Sequence, residues 1–553
     1  MHRALQIPEV VMHICETLGA DFLIYDRVAQ GALAALARVC RRFSEPAFDA
    51  LWAKQGSVEG FLGLFPDDLW DDPWDRFYRW DLQRAILPAD WQRPLFYTHR
   101  VKSLILTDAQ DLPSIKVQRV LAICLPPGTS VLFPNLRQLE WGAPIVDKCY
   151  PFLPLLLGPR ISELKIDSPQ FVEFLSLLPT IPIRCPDLRI VDIGSEQAAV
   201  DMHGPLRETF SLLVRQLRGV ESLWADDIDP AAFEHLSRLP SLKTLRLAWI
   251  GVAPLDITLP DSPPEEPLFA SLTALEIFPC ATEIMLLLLD ATSRSPLKTL
   301  EITVQCGFSP PAVASVISRV CSAAYRDTLE LFYLEATQKG SYPEFALDHL
   351  ALPFPENETA MSTDALRSLI NAGFTKLDSL QLDVPGGFDL DDALLLDIAA
   401  AWGATLRSLK LYAEDLSAPS HRVTLEGIHA MACRCPALWA LDLQLSAVDI
   451  PTPADPLSAS GPALQGLRVG FSPIRDAPAV AQFLMQAFPA LEGVWYWRDF
   501  RRRAARGPWE DRTQQERDGK IYRRRWREVK QIIRAARNMV DEDWQSTDSE
   551  ADQ

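Results

Sequence analysis

Along most of the chain one short apolar phrase keeps returning: apolar, two residues, apolar, one residue, apolar. It occurs as Leu136-Leu139-Trp141, Ile161-Leu164-Ile166, Leu188-Val191-Ile193, Val220-Leu223-Ala225, Leu242-Leu245-Leu247, Leu272-Leu275-Ile277 and Leu297-Leu300-Ile302. It continues as Leu329-Phe332-Leu334, Leu377-Leu380-Leu382, Leu406-Leu409-Leu411, Leu438-Leu441-Leu443, Leu464-Leu467-Val469 and Leu491-Val494-Tyr496. In a strand alternate side chains face opposite ways. The fourth and sixth positions therefore turn into a core, and the fifth turns out. The fifth positions are Glu140, Lys165, Asp192, Trp224, Arg246, Glu276, Glu301, Tyr333, Gln381, Lys410, Asp442, Arg468 and Trp495, and none is aliphatic. Coincidental spacing in a Leu-rich domain would not keep that position clear so consistently. Val101-Leu104-Leu106 reads as a degenerate first copy, because Ile105 stands at its fifth position.

Between the phrases the apolar period changes from two to about 3.6, which predicts helices. Val313, Val316, Ile317 and Val320 share one face, as do Ala365, Leu366, Leu369 and Ile370. Leu394-Leu395-Ile398, Ile428-Met431 and Val480-Phe483-Leu484 do the same. Successive phrases start 22 to 32 residues apart, in or near the window of leucine-rich repeats. One gap of 48 residues, Leu329 to Leu377, requires an insertion or a missed copy. The fold class expected is α/β: a curved leucine-rich-repeat solenoid with a parallel sheet on the concave face and helices on the convex face.

The two ends follow other rules. Pro8 and Glu9 suit the first turn of a helix, after which Val10, Ile14 and Leu18 fall on one face. A second helix is expected to carry Leu33, Leu36, Cys40 and Phe43, and a third to begin after Pro46 with Phe48, Leu51 and Trp52. Three short helices have little core of their own, so their apolar faces want a partner. At the other end Tyr522, Trp526, Val529, Ile533, Ala536 and Val540 recur at spacings of 4 and 3. They form an amphipathic stripe beside Arg523-Arg524-Arg525 and Arg527. A helix docked as a cap on the last repeat is favoured. A partner-binding helix or a nuclear-localisation element, helped by Arg501-Arg502-Arg503, is the alternative.

Charge sharpens that division. The 553 residues carry a net charge of −19, which disfavours nonspecific nucleic-acid binding by the whole chain. Residues 498–540 nonetheless hold 15 Lys+Arg against 6 Asp+Glu, and residues 541–553 add 6 acids without a base. The last of the 79 leucines is Leu491, so a boundary belongs near residue 498. No apolar run reaches the ~18 residues a membrane span needs. Pro8 and Glu9 interrupt the stretch where a signal peptide would be apolar. The 10 scattered cysteines point to free thiols in a reducing, intracellular setting.

Catalytic signatures do not emerge. There is no phosphate-cradling Gly-rich loop, no Gly-x-Ser-x-Gly elbow and no His-Glu-x-x-His. Cys433 and Cys435 lack a second pair to complete a zinc site, and both are expected to be structural, as Cys185-Pro186 is. Asp67-Asp68 with Asp71-Asp72 fits no calcium loop and reads as an exposed acidic turn. No cofactor and no metal are expected. A ligand would lie on the outward strand positions, where aromatics and Arg are the usual hot spots. The candidates are Trp224, Arg246, Glu276, Glu301, Lys410, Tyr412, Asp442, Arg468, Trp495 and Trp497.

The N-terminal wording resembles an F-box. Leu5-Gln6-Ile7-Pro8-Glu9-Val10, Ile14, Leu36-Ala37-Arg38-Val39-Cys40-Arg41-Arg42-Phe43 and Leu51-Trp52 carry the resemblance. Phe43-Ser44-Glu45-Pro46-Ala47 and Ala50-Leu51-Trp52 are similar to the form expanded in basidiomycete fungi. There the F-box precedes a Trp-rich stretch and degenerate leucine-rich repeats. Trp70, Trp74, Trp80 and Trp91 supply that stretch here, and the resemblance runs to about residue 497. The spacer from Gly19 to Gly31 is longer than the compact pattern has. Without the resemblance, the three helices would be a plain solenoid cap.

Five segments are expected: an F-box-like module (1–55), a Trp-rich connector (56–97) and the solenoid (98–497), followed, from the charge and leucine distribution, by a basic helical segment (498–540) and an acidic disordered tail (541–553). The resemblance covers the first three. It also implies a substrate-recognition subunit of a Skp–cullin–F-box ubiquitin ligase that catalyses nothing. Its partners would be a Skp-type adaptor, through it a cullin–RING ligase, and a protein substrate on the repeats. Neither nucleic acid nor membrane is an expected partner. The implied adaptor-facing residues are Leu5, Ile7, Pro8, Val10, Ile14, Leu36, Val39, Cys40, Phe43 and Leu51. Some of them must instead hold the helices together. The rival reading is a leucine-rich-repeat interaction scaffold without a ligase role.

Overall fold

A computed structural model describes residues 3–20, 27–71, 80–107, 112–142, 152–167, 172–194, 203–225, 228–247, 267–278, 282–304, 310–335, 361–384, 387–412, 422–451, 463–496 and 514–537. The chain divides into two compact units near residues 260–272.

The first unit opens with α1 (Pro8–Ala20), α2 (Arg27–Ala37) and α3 (Arg41–Ala53). Pro8 and Glu9 occupy the first turn of α1, as the sequence indicates. The face is rotated by one position, however. Val11 and Cys15 are fully buried, whereas Val10, Ile14 and Leu18 are half-buried. Adjacent apolar pairs, Val10-Val11 and Ile14-Cys15, make both stripes possible in sequence; packing selects one. The second and third helices also divide differently from expectation. Cys40 is not on α2; it is the extended N-cap of α3, which already contains Phe43 and runs through Pro46. Pro46 removes only the donor to the Arg42 carbonyl, beside an exposed residue, so the helix survives it. The break at Val39–Cys40 lets α3 fold back on α1 and α2. Phe43 and Ala47 then reach Val11, Cys15, Leu33 and Ala37 in one core.

The module runs straight into the sheet. β1 (Lys54–Gln55) pairs in parallel with β2 (Ser103–Leu106), and the Lys102 N–H donates to the Ala53 carbonyl at 2.9 Å. Between them lie α4 (Glu59–Leu62) and α5 (Gln92–Thr98), held by an aromatic cluster. Phe65 meets Trp70 at 6.0 Å and Trp91 at 5.1 Å, and Trp70 meets Trp80 at 4.8 Å. Phe61 reaches Phe133 of the first repeats at 5.6 Å. Trp74 and Asp72 lie outside the described residues. Asp68, on the acidic turn, is exposed and pairs with Arg84, which also holds Asp90.

The rest of the first unit alternates α6 (Ile115–Ile123), β3 (Gln138–Trp141), α7 (Leu153–Leu156), β4 (Glu163–Asp167), α8 (Val172–Leu177), α9 (Ile181–Arg184), β5 (Ile190–Gly194), α10 (His203–Val214), β6 (Ser222–Ala225), α11 (Pro230–Ser237) and β7 (Thr244–Leu247). The second unit contains β8 (Ala274–Ile277), α12 (Thr282–Ala291), β9 (Thr299–Thr303), α13 (Pro310–Ser322), β10 (Leu331–Glu335), α14 (Thr363–Asn371), β11 (Ser379–Asp383) and α15 (Asp392–Trp402). It continues with β12 (Ser408–Tyr412), α16 (Leu425–Arg434), β13 (Ala440–Leu443), β14 (Gly466–Gly470), α17 (Ala477–Ala487), β15 (Gly493–Tyr496) and α18 (Gln514–Ala536). Within each unit every strand pairs in parallel with its chain neighbour.

This is the repeat the phrases predict. The phrases form strands whose fourth and sixth residues pair in register, as where Leu139 opposes Leu164 and Trp141 opposes Ile166. At the last pair the register slips, and Tyr496 opposes Gly470 in place of Val469. The first copy is genuine, since Leu104 opposes Leu139 and Ile105 opposes Glu140. The gap of 48 residues is an insertion. β10 pairs directly with β11, Phe332 opposite Leu380, so no strand is missing between them.

Polar side chains hold the turns between helices and strands. Thr328 and Thr405 donate to the carbonyls of Leu297 and Leu377, the first leucine of the preceding phrase. Asp229, Asp391, Thr424 and Asp476 are N-caps whose side chains accept a helix N–H. Cys185 and Cys435 are buried C-caps of α9 and α16, where the following proline holds them off the helical conformation. Cys433 departs from expectation: it is exposed on α16, with its Sγ 3.6 Å from His429 Nε2.

Candidate interaction surfaces

Two surfaces bear on function: the N-terminal module and the outward face of the sheet strands.

In the module, packing sorts the sequence candidates. Phe43 is core. Leu5, Leu36, Cys40 and Leu51 are partly buried against that core. Val10 and Ile14 are half-buried, and Pro8 is exposed. Ile7 is 48% exposed and Val39 62% exposed, so both present apolar surface to solvent. Sequence reasoning missed Met12 and Val28, also exposed, because neither lies on a periodic stripe.

Arg100 fastens the module to α5 and the first repeat strand. Its side chain is buried, pairs with Glu45 and Asp49 of α3, and lies over the Phe96 ring at 4.9 Å. Phe48 and Trp52 of α3 pack on Tyr97 with ring separations of 5.7 and 4.8 Å. The two carboxylates remain largely solvated, so only the cation is desolvated at this joint.

On the sheet face of the first unit, Trp224 and Arg246 stand opposite each other in register, and the guanidinium lies 4.1 Å from the indole centroid. The indole lies flat because Gly194 is beneath it: a Cβ there would come within 2.9 Å of the ring. Lys165 is 4.0 Å from Glu140 on the same row.

On the second unit's face, Glu276 opposes Glu301. Tyr333 donates a hydrogen bond to Glu335, which opposes Asp383 on the next strand. Burial first, then Glu335, Asp383 and Glu301, push the phenol upward. Asp442, expected to point out, is buried between Lys410 and Arg468, its register neighbours, and lies 3.4 Å from Arg468. A short side chain between two long ones is covered by them. Arg468 in turn opposes Trp495, which is 46% exposed and lies over Gly466 and Gly493. Tyr412 pairs with Asp383 through the backbone of β12, but its side chain lies outside the described residues, as does all of Trp497.

The sequence signal for these flat indoles is a glycine two residues before the Trp or diagonally across from it, since i and i+2 share a face. Among the described residues no group of three or more His, Cys, Asp or Glu is placed to hold a metal ion. No described helix is long and apolar enough to cross a membrane. Both faces offer aromatic, cationic and acidic side chains for contact.

No protein-family model matches the chain, and no curated protein matches it. Among solved structures, a chain of the crystal structure of the Rad7 and Elc1 complex in yeast is similar, with a TM-score of 0.34 and 12% identity. The match covers 88% of this chain and 87% of that one. A likeness this distant does not bear on function.

Proposed function

We propose that this chain is a non-catalytic substrate receptor of an intracellular Skp–cullin–F-box type ubiquitin ligase. The N-terminal helices would bind the adaptor and the repeat strands a target protein. One observation carries the reading: residues with F-box wording form a three-helix module that leaves Ile7 and Val39 largely exposed and Val10 and Ile14 half-buried. Full burial of such a side chain contributes about 1.5–3 kcal/mol and a half-exposed one proportionally less, so anchoring a partner calls for polar contacts around these residues as well. Fusion of the module to the sheet through β1 and Arg100 supports the reading as well. A receptor acts by raising the effective concentration of target near the charged enzyme, and a stiff joint keeps that geometry.

The test is co-purification of the intact chain with a Skp-type adaptor, beside an Ile7→Asp/Val39→Asp variant. Both positions are exposed, so the variant should stay folded. Deleting residues 1–55 is a poorer test, because it also removes β1 and both partners of Arg100. Binding by the parent that the variant loses supports the receptor. A folded parent that does not bind makes the chain a repeat scaffold without a ligase role.

A further inference from the structure

In the first unit the residue just before each strand stacks on its counterpart in the next repeat. The N–H groups of Arg137, Ser162, Arg189, Glu221 and Lys243 each donate to the carbonyl at the same position one repeat earlier, at 2.7–2.8 Å. Lys102 heads this column, whose neighbouring members are therefore ~4.8 Å apart. Further along, each cation meets an acid: Arg189 and Lys243 pair with Glu221 at 3.2 and 2.7 Å. In the second unit Lys298 pairs with Glu330 at the same positions, at 3.3 Å. The head of the column differs. Lys102 and Arg137 are adjacent and exposed, and neither side chain has an ion pair or a hydrogen bond among the described residues. Ser162 follows, and Arg160 of its repeat leans back toward Arg137's repeat. Its Nη1 donates to Asn135 Oδ1 at 2.7 Å, and Asn135 Nδ2 donates to the His99 carbonyl at 2.6 Å. An amide thus positions this exposed guanidinium without neutralising it. The acids of the same strands are engaged elsewhere, since Glu140 and Glu163 lie 4.0 and 3.7 Å from Lys165. Asp187, at Arg160's position one repeat on, makes no ion pair.

We propose that Lys102, Arg137 and Arg160 form a site for a phosphoryl group, either free phosphate or phosphate carried on a side chain of another protein. Like charges facing each other across neighbouring strands cost stability. Elsewhere in the column an acid at the next position removes that cost, and here none does. An anion from outside the chain is the remaining way to answer it. A carboxylate would neutralise only one of the adjacent cations. A phosphoryl group carries about −1.5 to −2 near neutral pH, which matches the pair. Its oxygens can meet the point charge of Lys102 and the planar forks of Arg137 and Arg160 together. The site is too short for nucleic acid: three neighbouring strands span ~10 Å. Glu221 then ends the positive run. The site lies beside the strands and does not depend on the ligase reading.

The test is phosphorus NMR of inorganic phosphate and of a short phosphoserine peptide, each titrated with the full chain. Exchange with the protein should broaden the phosphate line, the peptide line or both, and the tighter ligand identifies the source. Arg137→Gln/Arg160→Gln should weaken binding about tenfold or more. Lys243→Gln, at a paired member of the column, should leave it unchanged. A second readout needs no ligand. In phosphate-free buffer Lys102→Gln should leave Tm equal or slightly raised, because only repulsion is lost. The proposal is overturned if neither line broadens, if the double variant binds as the parent does, or if Lys243→Gln loses as much as the double variant. It also fails if Lys102→Gln lowers Tm, which would make the pair part of the fold's own support. Single-stranded DNA that binds more tightly than both phosphate and the peptide overturns it as well.

Discussion

The two ends of the chain handle apolar surface in opposite ways. α18 turns most of its large apolar residues inward: Trp526, Val529 and Ile533 are buried, and Ile521 is 41% exposed. Gly519 lets the helix approach Phe471 so closely that a Cβ would lie 2.2 Å from the ring. The N-terminal module builds a core from Val11, Cys15, Leu33, Ala37, Phe43 and Ala47, yet leaves Ile7, Met12, Val28 and Val39 exposed. Three short helices enclose too little volume to bury every apolar side chain they carry. A cap on a repeat array needs a polar outer face, and the module interrupts its polar surface with more large apolar residues than α18 does.

Substitutions at the two cores should break this comparison most sharply. Trp526→Ala should cost about 3–5 kcal/mol locally and release α18, seen as lost hydrogen-exchange protection over 514–537 while β2–β7 stay protected. Phe43→Ala should cost about as much in the module and loosen all three helices. Arg100→Ala should cost about 2 kcal/mol, less than a fully buried pair, because Glu45 and Asp49 stay solvated once it is gone. Its signature is faster exchange in α3 with little change in α18. Gly519→Ala should cost about 1–2 kcal/mol, because overpacking against Phe471 outweighs the gain in helix propensity. Ile7→Asp should change stability by less than about 0.5 kcal/mol while abolishing the adaptor binding proposed above. An unfolded Ile7→Asp chain would place Ile7 in the core and undo the distinction between the ends.

The smallest effect is one of pH. Burial pushes the thiols of Cys185 and Cys435 up to about 12 and about 11, from the ordinary thiol value of 9.0. The unfolded chain then ionises first as pH rises, so it binds fewer protons than the folded chain. The stability from these thiols is complete below pH 9 and is lost as pH rises through about 11 to 12. Tm should fall over that range, and Cys185→Ala with Cys435→Ala should flatten the slope.

Much of this was legible in the chain. The Leu-x-x-Leu-x-Leu phrases became strands because alternation is a local property, visible without knowing any neighbour. The apolar stripes of α13 to α17 were legible for the same reason. β1 was not, since Lys54-Gln55 carries no apolar signal and becomes a strand only by pairing with β2. The extent of α3 was hidden by Pro46, which reads as a helix start yet lies inside the helix. On the sheet face the candidate types were legible and their states were not. Asp442 looked outward by parity but is covered by the longer side chains beside it.

The sequence by itself determined the repeat, its strand register and the amphipathic character of both ends, because each is a periodicity carried by consecutive residues. The tertiary structure alone decided which of Val10 or Val11 faces the core and which F-box-like residues stay at the surface. It also decided which cations beside the strands have a carboxylate within reach and which do not. Those outcomes depend on which element packs against which, and a residue's exposure is set by its neighbours in space as much as by its own hydrophobicity.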